Sequence, residues 1–260
     1  MHTPLLKIDG LDVGYRTRQG NKVVVGAINA TLCAGELVAL IGHNGAGKST
    51  LLNTLTASLR PLSGKALFAN GDVMELSQKE LSRCVSVVLT NNTFSNLSVK
   101  ELVSLGRTPH TGFLGSMTQH DRAVVNDAMK LMAVSHLADR QVNELSDGER
   151  QKCMIAKAIA QETPLMFLDE PTAFLDFGSE VHLFRTMRSL ARESQKALLV
   201  STHDIELALR FADRLWLVNN GNLYEGTTDE LAEKGIIQAF VGEDNVVYDK
   251  KNNRIEITQI

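Results

Sequence analysis

The chain has 260 residues, a mass of 28.5 kDa and a formal net charge of −3. That length fits one large domain or two small ones, and the charge balance argues against a nucleic-acid binder relying on a general basic surface. With 43% hydrophobic and 22% charged residues it reads as an ordinary soluble globular protein, large enough to bury a core without disulfides.

Its three cysteines, Cys33, Cys84 and Cys153, lie far apart and form no CxxC pair. That speaks against a zinc or disulfide framework and for a reduced, cytoplasmic setting. The N-terminus lacks a signal-peptide pattern, and no apolar run approaches the ~18 residues that span a bilayer. A membrane role would therefore come through a partner.

In chain order, "LLKIDGLDVGY" and "KVVVGAINATLCAGELVALIG" alternate short apolar runs with glycines. They predict short antiparallel strands and then a buried strand over 36–41. A helix follows from Lys48 to about Leu59, stopped by Pro61, and "GKALFANGDV" carries an Asn70-Gly71 turn. From about residue 93 to 160 the pattern is helical. "SVKE" at Ser98–Glu101 and "TQHD" at Thr118–Asp121 resemble capping boxes, and Val124, Ala128, Leu131 and Met132 share a helical face. "PLMFLDE" and "KALLVSTHD" are continuous apolar runs, as in strands of a parallel sheet covered on both faces. "RLWLVNNGNLYEG" reads as a hairpin turning at Asn220-Gly221, and "VVYDKKNNRIEITQI" as one more hairpin.

Four stretches carry chemistry. "GHNGAGKS", Gly42 to Ser49, fits G-x-x-x-x-G-K followed by Ser or Thr. Its glycines let successive N–H groups curl toward phosphate oxygens, and the helix that follows adds its positive end. Lys48 is placed to reach the β- and γ-phosphates and Ser49 to bind Mg²⁺. The bland alternative is a glycine turn between strand and helix. In "PLMFLDEPTAFLD", Asp169 and Glu170 end a buried strand. One acid can hold Mg²⁺ and the next can polarise a water; otherwise this is a solvated acidic turn. "LSDGERQK" holds a capping box, Ser146 with Glu149, and a serine, a glycine and a helix N-terminus also make an anion site. "VSTHD" places His203 after an apolar strand, where a lone histidine is more often structural.

Together these motifs resemble the ATP-binding cassette (ABC) ATPases. "GHNGAGKST" is similar to their phosphate loop, "LSDGE" to the signature usually written LSGGQ, "LMFLDE" to the strand with Mg²⁺ ligand and base. "AFLD" is similar to the dimer-contact loop and "STHD" to the histidine switch. The match in order and spacing covers about residues 5–230. It implies an α/β fold: a P-loop NTPase, RecA-like core with an N-terminal antiparallel β subdomain and a helical signature subdomain. The expected layout is an ATPase domain over 1–240, with the helical part at about 93–160 inserted in it, and a C-terminal extension over 241–260.

The resemblance also implies roles. Gly42, Asn44, Gly45, Gly47, Lys48, Ser49 and Thr50 would cradle ATP, with Tyr15 stacked on adenine. Ser49 and Asp169 would hold Mg²⁺. Glu170 would activate water, and His203 would contact the γ-phosphate. Ser146 and Gly148 would cap the nucleotide of a second copy, with Asp176 linking the two sites. One position departs from the pattern: Thr90 stands where the family usually has a glutamine, and its hydroxyl stops roughly 2–3 Å shorter. A water would fill the gap, or Asn91 or Asn92 would be substitutes.

A peripheral subunit on the cytoplasmic face of the membrane, docked on a separate permease and served by a substrate-binding protein, fits this chain best. The repair and cohesion branches need a long coiled coil, and the translation branch carries two cassettes in one chain. "LSVKELVSLGRTPHTGFLG" resembles importers of iron–siderophore, haem and cobalamin, although "GRTPHTG" also suits a plain turn between helices. The alternatives are another solute or a lipid, or a soluble iron–sulfur assembly ATPase. The last 20 residues read as a stabilising flap, with regulation as the alternative.

Overall fold

The computed structural model describes residues 3–89, 96–111, 116–242 and 246–257. Strands β1 (Pro4–Thr17) and β2 (Gly20–Cys33) are followed by β3 (Leu37–Gly42) and helix α1 (Lys48–Leu55). Next come β4 (Ser63–Phe68), β5 (Gly71–Asp72), α2 (Gln78–Cys84) and β6 (Val85–Val88). Helices α3 (Val99–Ser104), α4 (Gln119–Leu131) and α5 (Asp147–Ala160) form a helical stretch, with a 3-10 turn at Leu105–Arg107. The chain then runs β7 (Leu165–Asp169), α6 (Phe177–Ser194), β8 (Ala197–Thr202), α7 (Ile205–Phe211), β9 (Arg214–Asn219) and β10 (Asn222–Gly226). It ends in α8 (Thr228–Glu233), α9 (Ile236–Val241), β11 (Val246–Asp249) and β12 (Arg254–Ile257).

Ten strands line up as β5-β4-β1-β2-β10-β9-β3-β8-β7-β6. The half β9-β3-β8-β7-β6 is parallel, and β5-β4-β1-β2 is antiparallel. Alternation along β7 explains its unbroken apolar run: Leu165 and Phe167 pack into the core shared with β1, β2 and α1, whereas Met166 and Leu168 pack into the core shared with α5 and α6. A strand covered on both faces has no position left for a polar side chain until its end, where Asp169 emerges. A third core sets Ala39, Ile41, Leu215 and Leu217 against α7 to α9.

Several expectations are corrected. The first strands are long, 14 residues each, because glycines read as breaks are absorbed as register shifts between Ile8 and Leu11 and between Val13 and Gly14. Helix α1 stops at Leu55, not Leu59. The hydroxyls of Thr54 and Thr56 bond back to Thr50 O and Leu52 O, which competes with helix continuation, and Ala57 turns left-handed at φ 55°. On α4 the buried face is Asp121, Val125, Ala128 and Met129. Leu131 is 41% exposed, and Val124 only flanks the core.

Other expectations hold. Ser98–Glu101 and Thr118–Asp121 are reciprocal capping boxes. Asn220 and Gly221, both at positive φ, turn the β9–β10 hairpin, and β11 and β12 pair from Val246↔Ile257 to Asp249↔Arg254.

Candidate functional site

Strand β3 ends at Gly42 and α1 begins at Lys48, so the loop between them sits at the carboxyl edge of the parallel strands. Open α/β sheets bind ligands at this edge. Gly47 adopts φ 108°, and a Cβ there would lie 2.6 Å from Val24 Cγ1 and 2.9 Å from Val25 Cγ2. Only glycine suits both the backbone angle and the space. Gly47 also offers α1 no side-chain cap, whereas α2 to α8 each have one. The first N–H groups of α1 thus have no side-chain acceptor at the N-cap, and with the helix dipole they favour an anion.

Lys48 is 5% exposed. Its Nζ donates to Gly42 O at 2.8 Å and lies 3.5 Å from Glu170 Oε1. Ser49 Oγ donates to Asp169 Oδ2 at 2.9 Å. Ser201 Oγ, from the end of β8, donates to Asp169 Oδ1 at 2.6 Å and accepts from the Glu170 N–H at 2.9 Å. Register explains this meeting, because Asp169 pairs directly with Ser201 across β7 and β8. Glu170 takes φ 46°, a left-handed conformation that costs a non-glycine residue about 1–2 kcal/mol. The Ser201 hydroxyl holds that backbone in place.

Tyr15 Oη lies 3.2 Å from Thr50 Oγ1, with the tyrosine 49% exposed. His203, exposed after β8, lines a cleft of about 550 Å³ with Gly42, His43 and Asn44. Asn44 and Gly45 are exposed on the loop. Ser146 and Gly148 are placed elsewhere, in a second cleft of about 400 Å³ with Phe174, Leu175 and Asp176. Ser146 caps α5 with Glu149, and the Ser146 hydrogen bonds, backbone first, hold the Glu149 carboxyl below its usual range. Asp176 caps α6 by accepting from the Ser179 N–H at 2.9 Å. One chain thus gathers Tyr15, the phosphate loop, Asp169 and Glu170 on one surface, and Ser146, Gly148 and Asp176 around another cleft. Thr90, Asn91 and Asn92 lie outside the described residues.

Two participants were missed in the sequence. Ser201 stands inside the quoted "VSTHD", and its signal was a hydroxyl interrupting an otherwise apolar strand. Phe240 stacks on the loop residue His43, with ring centroids 4.5 Å apart. No local pattern pointed to that contact.

A parallel strand, a glycine loop with a buried lysine, a helix left uncapped and a strand-end aspartate define a P-loop NTPase fold. Residues 25–173, more than half of the chain, match the family model described as ABC transporter. The chain belongs to that family and is an ABC ATP-binding subunit. It is 38% identical over 250 residues to an uncharacterised ABC transporter ATP-binding protein of Methanocaldococcus jannaschii, covering 95% of this chain and 82% of that one. It is 33% identical to the iron(3+)-hydroxamate import ATP-binding protein of Bacillus subtilis, covering 96% and 92%.

Among solved structures it resembles an inward-facing transporter assigned to the metal-chelate type, with TM-score 0.79, 26% identity and coverage of 98% and 97%. It also resembles a dimeric ATP-binding cassette in a post-hydrolysis state bound to ADP and phosphate, with TM-score 0.76, 26% identity and coverage of 85% and 98%. No helix among the described residues is long and apolar enough to cross a membrane.

Proposed function

We propose that the chain binds Mg-ATP and hydrolyses it as half of a two-cassette motor. The motor drives uptake of a metal chelate (iron–siderophore, haem or cobalamin) through separate permease subunits at the cytoplasmic face of the membrane, with a substrate-binding protein in the same system. The observation that carries the ATPase reading is the Asp169 carboxylate held between the Ser49 and Ser201 hydroxyls, beside Lys48 and Glu170.

Asp169 and Ser49 offer a carboxylate and a hydroxyl oxygen, hard donors suited to Mg²⁺. Bound there, the ion would offset charge on the phosphates. Lys48 would exchange its bond to Gly42 O for phosphate oxygens, and Gly42, Asn44, Gly45, Gly47 and Thr50 would complete the cradle. Tyr15 would stack on adenine. Glu170 is the general base for the attacking water, and His203 reaches the γ-phosphate from the rim of the cleft.

Ser146 and Gly148 have no place at their own chain's nucleotide in this reading. They cap the γ-phosphate bound by a second copy, and Asp176 joins the two sites across the contact. ATP then holds two chains together and its hydrolysis lets them part, which is the motion passed to the permease. The helical part, about 93–160, is the inserted unit that carries Ser146 and docks on the permease; 241–260 is the extension. The metal-chelate reading draws on the hydroxamate importer and the metal-chelate type transporter among the similar proteins, and on "GRTPHTG".

The test is Glu170→Gln. With excess Mg-ATP this variant is expected to elute as a stable dimer on a sizing column with little turnover. A variant that stays monomeric, alone and with its permease, refutes either the base or the sandwich.

A further inference from the structure

The segment "GRTPH", Gly106 to His110, has a structural role that the site above does not use. Gly106 lies so close to α5 that a Cβ would sit 2.3 Å from Lys157 O and 3.2 Å from Ala160 Cβ. Only a residue without a side chain allows the two backbones to meet there. Arg107 is 2% exposed. Its Nε donates to Asp121 Oδ1 at 2.9 Å, and its Nη1 donates to Ala160 O and to Glu162 Oε2, both at 2.7 Å.

Asp121 is itself part of the α4 capping box, accepting from the Thr118 N–H and hydroxyl. Those bonds from Thr118, and then Arg107, hold its carboxyl far below the ordinary range. A single guanidinium thus joins the start of α4 to the last carbonyl of α5, where a cation also complements the helix dipole.

Pro109 and His110 reach the sheet side of the molecule. Pro109 O accepts from Arg83 Nε and Nη2 at 3.1 and 3.0 Å, so α2 is tied in. His110 Nε2 lies 2.9 Å from Gln161 O, and Gln161 Nε2 donates to Ser82 O and Val85 O at 2.7 and 3.2 Å. Residues 161–164 lead directly from α5 into β7 and hence to Asp169.

We infer that Gly106 and Arg107 are positioning residues. They fix the C-terminal end of α5, the helix whose N-cap is Ser146, and so set where the signature serine meets a second copy. This rests on the reading in which Ser146 caps the partner's nucleotide. Leverage gives the contact its weight. Helix α5 runs 14 residues, about 21 Å at 1.5 Å per residue, so a tilt of about 10° at its fixed end moves Ser146 by roughly 4 Å. A hydrogen bond to phosphate does not survive such a shift. The nucleotide's own cradle, on β3 and α1, lies on separate elements and is left in place.

The test uses the full chain carrying Glu170→Gln, with Gly106→Ala or Arg107→Lys added. Binding of a fluorescent ATP analogue to dilute monomer reads the chain's own cradle. Sedimentation in excess Mg-ATP reads the dimer dissociation constant. Either addition is expected to raise the dimer constant at least tenfold while nucleotide affinity stays within twofold. His120 lies at the exposed edge of the network, its Nε2 3.6 Å from Glu162 Oε2, and His120→Ala should change neither. Should Gly106→Ala and Arg107→Lys both fail to fold, His110→Ala carries the test with an expected shift of about threefold in the dimer constant.

A dimer constant within twofold of the parent in a folded variant overturns the inference, as does a parallel loss of nucleotide affinity. Ser146→Arg in the same background separates the two levels. If it still dimerises with ATP, the capping of one chain's nucleotide by the other is wrong. If it does not, while Gly106→Ala and Arg107→Lys dimerise normally, only the positioning role fails. A parent chain that never dimerises overturns both.

Discussion

Ser201→Ala removes one hydroxyl with two partners. Ser201 is wholly buried, donates to Asp169 Oδ1 at 2.6 Å and accepts from the Glu170 N–H at 2.9 Å. A hydrogen bond to a charged group contributes about 1.5–3 kcal/mol, and an unsatisfied buried donor costs about 1–3 kcal/mol. The two overlap in one small site, and Glu170 is partly exposed to water, so a loss of about 3 kcal/mol is expected. For a chain of this length that lowers the melting temperature by about 5 °C.

The functional effect should be larger for magnesium than for nucleotide. Asp169 keeps its bond from Ser49 but loses the Ser201 bond to its other oxygen. Glu170, already left-handed at φ 46°, loses its backbone anchor. The assay is ATPase rate against Mg²⁺ concentration at saturating ATP, beside a urea unfolding curve. The Mg²⁺ concentration giving half-maximal rate should rise about tenfold and the maximal rate fall about tenfold, while binding of the ATP analogue without Mg²⁺ stays within twofold. Unchanged stability together with an unchanged Mg²⁺ profile would refute the assignment of Ser201 as the brace of the strand-end acids.

Gly47→Ala forces a Cβ to within 3 Å of both Val24 and Val25 at φ 108°. It should weaken binding of the ATP analogue at least tenfold in a chain that still folds; wild-type affinity would show that the loop relaxes freely. The thiols make a separate check. Burial, and then Glu149, pushes the Cys153 thiol up to about 12, so at pH 8 only about one in ten thousand is ionised. Burial also raises Cys84 and the half-buried Cys33. Maleimide at pH 8 should therefore label Cys33 first and Cys153 only on unfolding, as read by peptide mass mapping. Cys153 labelling at the rate of Cys33 would contradict the packing of α5 against β7.

What could be read before folding was whatever depends on neighbours in the chain. The glycine loop closes within residues 42–49, the capping boxes span four residues each, and Asn220-Gly221 sets its own turn. Strand runs such as "PLMFLDE" declare burial on both faces because each is covered by α5 and α6 on one side and α1 on the other. The bounds of α1 and the length of β1 and β2 were misread for a related reason. A threonine bonding back to its own helix, or a glycine used as a bulge, is a local signal with two solutions, and the surrounding sheet chooses between them.

The brace at Ser201 and the joint at Arg107 were out of reach. Ser201 reaches its role through strand register, 32 positions from Asp169. Arg107 gains partners 14, 53 and 55 positions away only once α4 and α5 are packed. The two are nonetheless parts of one arrangement. The segment after α5 carries Glu162 and Gln161, which take hold of Arg107 and α2, and it continues into β7, whose end is Asp169. A force on the helices that reached residues 161–164 would therefore pass to α2 through Gln161 and to the strand holding the site's carboxylate. This makes the link between α5 and β7 the covalent path between Ser146, the serine proposed to cap a second copy's nucleotide, and the strand-end acids Asp169 and Glu170.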